Sequence, residues 1–518
     1  MRKGRYAVAA SAALLLALSG AMSASAAAGT NWTSWGSDLS NSRSSADTTI
    51  GVGNASKLAV KWRVPTAGNV SATPAVEDGR LYVPDDAGRL YALDARTGAT
   101  IWQSTIPGYT GVPGDYSRTT PTIAGNLLIL GDQAGKSFSP DGYLLAVDKA
   151  TGALVWKKKF EGGYPLLTQS PTIVGNTIYV GTASYEELLV RFGFPLDFRG
   201  SMNAIDLSTG ETLWQTYMAP EGYTGASVWG SSPAVDTKTN TVYIGTGNNY
   251  SVPDSVSSCL GSASTDAERA ACVPAADMFD AVVALDAGTG AVKWTFRAMP
   301  SDAWNVACGI PFPGFEDPVA GCPTNKGPDY DFGQAPMLFK VNGQSFVGAG
   351  QKSGTFWALD PATGALKWST QVGPGGVAGG LQWGSATDGT RVYSANANSV
   401  QSPWTLTNGT TVDYGGWVGM AAGTGKVLWQ TLNPRQAGAP GPVTVANGVV
   451  YACSADAAGH MYAMKASDGS ILWDYPSGDI CYGGAAISNG VVYWGTGYAL
   501  GGPDAPGQAL YAFSLNGK

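Results

Sequence analysis

One segment recurs along almost the whole chain and constrains the fold more than any other feature. It reads Leu-Tyr-Ala-Leu-Asp-Ala-Arg-Thr-Gly-Ala-Thr-Ile-Trp at 90–102 and returns at 144–156, 202–214, 282–294 and 356–368, with degenerate copies at 417–429 and 461–473. An apolar strand runs into an Asp whose carboxylate can accept backbone N–H groups and open a turn. A Thr-Gly pair follows, and Gly supplies the positive φ of a tight hairpin. The returning strand ends in Trp, a side chain large enough to pack against a neighbouring repeat. Upstream segments such as SPTIVGNTIYVGT at 170–182 add two more strands per unit. Four antiparallel strands repeated radially predict an all-β propeller.

The closing tryptophans are Trp62, Trp102, Trp156, Trp214, Trp294, Trp368, Trp429 and Trp473, which predicts eight blades. The first unit has only its last strand, at 57–62, and the last has a third strand near 510–514 with nothing after it. The two ends should therefore share one blade, which closes the ring and removes exposed strand edges. Met1-Arg2-Lys3-Gly4-Arg5, a short apolar run and the small residues Ala24–Ala28 read as a secretory leader. The expected organisation is a signal peptide over 1–28 and one eight-bladed domain over 29–518, in a secreted or extracytoplasmic protein with no membrane span.

The six cysteines suit an exported chain with disulfides. Cys259 and Cys272 share one long insertion, Cys308 and Cys322 another, and elimination leaves Cys453 with Cys481. No C-x-x-C spacing for attached haem c or a common zinc site occurs, and the one histidine, His460, argues against a Ser-His-Asp hydrolase or a multi-histidine metal centre. A formal charge of −7 with no basic cluster argues against a nucleic-acid partner.

The tryptophan-docked repeat resembles that of the pyrroloquinoline quinone (PQQ) dependent alcohol dehydrogenases, an eight-bladed family, over nearly all of residues 31–518. Outer-membrane assembly lipoproteins of related fold carry the repeat without quinone, so function rests on residues that interrupt it. Thr168 precedes Glu186 at roughly the spacing of the family's quinone-contacting Thr and Ca²⁺-binding Glu, with Glu187 competing for the second role. Trp229 and Asn248, the latter within Gly245-Thr246-Gly247-Asn248, resemble the Trp beneath the quinone ring and a Ca²⁺ ligand. Lys352 stands where the family places a cation against the quinone oxygens, a form of electrostatic catalysis. Arg118 matches a group that holds a quinone carboxylate. Gln382-Trp383 lies where the family often has Asn-Trp near the cofactor.

One segment departs from the pattern. The family's Trp-Asp supplies a base and metal neighbour, but here Trp304 is followed by Asn305, and an amide cannot accept the alcohol proton. Asn305 is retained as a catalytic and metal candidate by position, with Asp302 or Glu187 as the replacement base. The resemblance implies an exported quinoprotein without haem that oxidises alcohols with PQQ and Ca²⁺ and passes electrons to an external acceptor such as a cytochrome c. Polyvinyl-alcohol dehydrogenases are the comparison among subfamilies, being exported and acting on a polymeric alcohol. The alternative, which Asn305 favours, is a non-catalytic propeller serving as a binding or assembly module.

Overall fold

The repeat turn forms as its chemistry requires. Asp94 Oδ1 accepts the N–H groups of Arg96 and Thr97 and the Thr97 hydroxyl, and Asp148, Asp206 and Asp286 repeat this pattern. In the computed structural model, which describes residue 1 and residues 30–518 other than 136–137, 311–313 and 499–507, these hairpins form the outer half of seven of eight antiparallel blades of four strands each, and Ser44–Ser45 adds a short parallel strand to the seventh blade. The leader expected over 1–28 lies, Met1 apart, outside the described residues.

Blades 1 to 7 run in chain order from 75–105 to 444–476. Blade 8 combines three strands at 486–515 with Leu58–Pro65, which pairs antiparallel with Ala509–Leu515. This pairing joins two segments from opposite ends of the chain, so blade 8 has its fourth strand.

Each closing Trp ties its blade to the next. Trp62 Nε1 donates to the Ala95 carbonyl, Trp102 to Lys149, Trp156 to Leu207 and Trp214 to Ala287. Trp294 donates to Pro361, Trp368 to Ala422, Trp429 to Ala466 and Trp473 to Leu58, completing the circle. The glycine of each Asp-x-x-Thr-Gly turn lies beneath the preceding blade's indole. At Gly210, φ is +76° and an added Cβ would come within 2.9 Å of the Trp156 ring. Gly210→Ala is therefore expected to cost about 1–3 kcal/mol of stability. Gly53→Ala, where a methyl meets nothing within 4 Å, is the control, and denaturant midpoints check both.

The segment from Thr30 to Asp47 lies outside the repeat, touching the blades only at their inner edges, where Ser44–Ser45 pairs parallel with the innermost strand of blade 7. It runs across the inner ends of the ring and takes up the innermost strands' free N–H groups. Val76 donates to the Trp32 carbonyl, Ile123 to Thr33, Val235 to Leu39, Leu338 to Ser40, Thr387 to Ser42 and Val445 to Arg43. These donors sit at the second position of the innermost strand in six different blades. Inner-edge groups that would otherwise be buried without partners are satisfied in this way. The repeat pattern carried no sign of this strap.

All six cysteines are paired, as Cys259–Cys272, Cys308–Cys322 and Cys453–Cys481. Among the described residues no helix is long and apolar enough to cross a membrane.

Candidate active site

The loops between the second and third strands of each blade, and the links between blades, leave the ring at one end. Residues that interrupt the repeat gather there. Arg118, Thr168, Trp229 and Trp383 come from blade-to-blade links; Glu187, Asn248, Lys352 and Tyr498 come from loops within blades.

One half of the site is aromatic and cationic. Lys352 Nζ lies 5.4 Å from the Trp229 ring centroid. Trp229 meets Trp383 edge to face at 5.6 Å, and Trp383 meets Tyr498 at 5.8 Å. The Arg118 guanidinium sits 5.0 Å from the Trp383 ring; its Nε donates to Thr168 Oγ1 at 2.7 Å and its Nη1 to the Tyr498 hydroxyl at 2.9 Å. Arg118 makes no salt bridge among the described residues. Gln382 is buried and its Oε1 has no hydrogen-bond partner.

The other half is acidic. Lys352 Nζ is 2.8 Å from Asp329 and 3.0 Å from Asp331. Asp331 also accepts Trp229 Nε1 at 2.9 Å and the Asn248 N–H at 2.8 Å, so it fixes the aromatic floor, the cation and the 245–248 turn together. Burial works against the Lys352 charge, but Asp329, Asp331 and Glu187 outweigh it and hold the ammonium protonated. Burial pushes the Glu187 carboxyl up to about 8, with the Asp331 charge adding to the effect. Burial likewise raises Asp302 to about 7 and lifts Asp329 well above the usual carboxylate range despite its lysine partner. Asp329 adopts φ +62°, in the left-handed region. Such strain in a non-glycine residue persists only where surrounding contacts hold it.

Thr168, Trp229, Asn248 and Lys352 are thus brought together with Arg118 and Trp383. Two of the expected ligands have other hydrogen-bond partners. Glu186 turns away: its Oε2 accepts the N–H groups of Asp197 and Phe198, both at 2.8 Å. Glu187 instead lies close enough to Asp331, Lys352 and Asp302 for their charges to act on its carboxyl. Both lie in one short helix, Glu186–Leu189, where consecutive side chains diverge by about 100°, so only one can face the centre. Asn305 is committed elsewhere as well. Its Oδ1 accepts the Ala307 N–H to cap the turn Val306–Cys308, and its Nδ2 donates to the Tyr250 and Gly321 carbonyls.

Asp302 is present and buried, within range of the Asp331 and Lys352 charges. One oxygen accepts the Tyr330 N–H at 3.0 Å and the other lies beneath Gly327, and the carboxyl pairs with that of the buried Asp280, whose proton affinity burial raises well above the usual range. It therefore anchors the turn that presents Asp329 and Asp331. These two acids were missed by sequence reasoning. The signal was the Asp-Tyr-Asp at 329–331, set just before the first strand of blade 5 and separated from Trp304 by the insertion that Cys308–Cys322 ties together.

The raised acids carry a sign for stability. Glu187 and Asp302 bind protons more tightly folded than unfolded, where a carboxyl titrates near about 4. Folded-state stability must therefore fall as pH rises through the window from about 4 to about 8. The Tm of the ligand-free protein is expected to be higher at pH 5 than at pH 8, and a flat profile by scanning calorimetry would remove these acids from the buried cluster.

A family profile described as outer membrane protein assembly factor BamB, named PQQ_2, matches residues 46–267 and 352–502. A polyvinylalcohol dehydrogenase from Sphingopyxis sp. (strain 113P3) is 31% identical across 95% of this chain and 77% of its own length. A polyvinylalcohol dehydrogenase from Pseudomonas sp. is 27% identical across 94% and 77%. The crystal structure of quinohemoprotein alcohol dehydrogenase from Comamonas testosteroni superposes with a TM-score of 0.71 at 20% identity, covering 94% of this chain and 81% of that one, a likeness of fold. Together the eight-bladed ring and these relatives place the chain in the PQQ-dependent quinoprotein alcohol dehydrogenase family.

Proposed function

We propose that the protein oxidises a secondary, chain-like alcohol of the polyvinyl alcohol type with PQQ and Ca²⁺, outside the cytoplasm, and hands electrons to an external acceptor such as a cytochrome c. The observation that carries this reading is the division of charge in one site. Arg118 offers a guanidinium with no acidic partner among the described residues, beside Thr168 and flat aromatic rings, while Glu187, Asp302, Asp329 and Asp331 gather around Lys352. A planar ligand with carboxylates at one end and carbonyl oxygens at the other fits that polarity. The relatives named as polyvinylalcohol dehydrogenases support the substrate class. A leader over 1–28, followed by one domain from 29 to 518, supports export, as do the three disulfides.

PQQ, when bound, accepts the two electrons removed from the alcohol carbon. Trp229 provides the floor, oriented by Asp331, and Lys352 sets a positive charge above it. Arg118 and Thr168 bind the anionic end, and Trp383 holds Arg118 in place. Asp329 takes the hydroxyl proton: it is buried, has a raised affinity for protons and has Lys352 at 2.8 Å to steady its charged form. Glu187 and the Asn248 Oδ1, a buried oxygen with no hydrogen-bond partner, are the donors suited to Ca²⁺, a hard cation that prefers oxygen. Among the described residues no three acidic, histidine or cysteine side chains form a cage on their own, so the ion would draw further oxygens from a bound ligand.

The test is reconstitution. Purified protein mixed with PQQ and CaCl₂ should bind the quinone, shown by its absorbance, and reduce a dye when a secondary alcohol or polyvinyl alcohol is added. Quinone binding without dye reduction by any alcohol would favour a binding module, and absence of binding would overturn the reading.

A further inference from the structure

The strap over 30–47 does more than satisfy strand edges. Between its contacts with blade 2 through Thr33 and blade 4 through Leu39, it places Trp35 in the wall of the cavity that also holds Arg118, Thr168, Trp383 and Tyr498. Trp35 is only 7% exposed, and its ring fills the space beside Gly384, where an added Cβ would stand 2.7 Å from it. The cavity wall is therefore completed by a segment that lies outside the repeat.

Directly behind that ring is Arg43, fully buried, with its guanidinium 4.6 Å from the Trp35 centroid. Nε donates to the Val443 carbonyl at 2.8 Å, Nη1 to the Trp35 carbonyl at 2.7 Å and Nη2 to Thr444 Oγ1 at 2.9 Å. Every listener to this cation is neutral, and it makes no salt bridge among the described residues. Arg118, which lines the cavity, and Arg43, which lies against the Trp35 ring, are thus two cations without carboxylate partners among the described residues. A buried charge without a counter-ion is costly in a fold that needs only a strap. An anionic ligand would supply the counter-charge.

We propose that Trp35 is a binding residue for an aromatic polyanion in this cavity, and that Arg43 is a positioning residue acting through it, holding the ring in place and contributing an uncompensated positive field. The inference rests on the quinone reading above and assigns to the strap a part in cofactor capture. Because the strap contacts six blades, capture requires the closed ring, and an incompletely assembled propeller lacks a wall of its own site.

The experiment uses full-length ligand-free protein, with PQQ and its trimethyl ester as probes, by isothermal titration calorimetry. Trp35→Leu is expected to weaken both probes on the order of tenfold by loss of ring contact, and Trp35→Phe to weaken them less. Arg43→Gln is expected to weaken PQQ on the order of tenfold, as for one unit charge acting across low-dielectric protein, while the uncharged ester changes less than about twofold. Arg43→Lys, which keeps the charge, should restore most of the PQQ affinity. Affinities within about twofold of wild type in Trp35→Leu would overturn the role of Trp35. Equal losses for PQQ and ester in Arg43→Gln would overturn that of Arg43. Should Arg43→Gln fail to fold, equal wild-type affinities for PQQ and ester would overturn the charge argument, and a preference for PQQ that Arg43→Lys retains would sustain it. Wild-type protein that binds neither probe refutes the quinone reading itself, whereas wild-type binding with unaffected variants refutes this inference alone.

Discussion

Lys352→Met is expected to remove nearly all alcohol-dependent turnover and to destabilise the fold by about 3–5 kcal/mol, the usual consequence of stripping one partner from a buried ion pair. Lys352 is the cation that acts on Asp329, Asp331, Glu187 and Asp302 among the described residues. Without it the acids repel one another in a site shielded from water. Their folded-state proton affinity then rises further above that of the unfolded chain, so the variant should lose stability as pH rises and regain it as pH falls. Comparing Tm at pH 5.5 and 8 for Lys352→Met and wild type reads this directly: the gap should be wider at pH 8. Turnover should fall by about 10²–10³, the scale of losing one preorganised electrostatic group. A variant with wild-type stability at pH 8 would mean that the acids are not charged together, and the ionic description of the site would be wrong.

Asp329→Asn is expected to lower kcat by about 10²–10⁴, the range for loss of a well-placed general base, with no comparable loss of fold. Asp302→Asn separates the two candidate bases. An asparagine there can still accept the Tyr330 N–H and hold the turn, so its kcat should stay within about tenfold of wild type if Asp302 only anchors Asp329. Asn305→Asp should not raise activity. It gives up the two Nδ2 bonds to Tyr250 and Gly321 and should cost about 1–3 kcal/mol in stability. If Asp302→Asn abolishes turnover while Asp329→Asn retains it, the proton acceptor is Asp302. If Asn305→Asp restores or raises turnover, the substitution after Trp304 is functional and the cap description fails.

Asn305 illustrates why motif position misleads next to an insertion. Read along the chain, the residue after Trp304 is the place for the family's acid, and the sequence supplies an amide. In space, the insertion closed by Cys308–Cys322 loops out from that point, and the chain re-enters the site at Asp329-Tyr330-Asp331. Counting residues follows the backbone, whereas chemistry follows the point of re-entry.

The sequence by itself determined the architecture. Eight closing tryptophans, the Asp-x-x-Thr-Gly turns and the incomplete terminal units are local, repeated signals, and each repeat buries its face in the same way against its neighbour, so counting them counts blades. Two disulfide pairs followed from the same locality, and the third by elimination. Sequence also picked out Thr168, Trp229, Asn248, Lys352, Arg118 and Trp383, because residues that break a repeat stand out against it. Only the tertiary structure commits Glu186 to the Asp197 and Phe198 N–H groups and sets its neighbour Glu187 apart from it, since a single helical turn sends adjacent side chains in directions that no spacing specifies. It alone disclosed Asp329 and Asp331 as the partners of Lys352, and the strap that carries Trp35 and Arg43 to the axis. Those contacts join residues hundreds of positions apart, such as Arg43 and Val443, and they exist only once the ring has closed and brought its inner edges to a common centre.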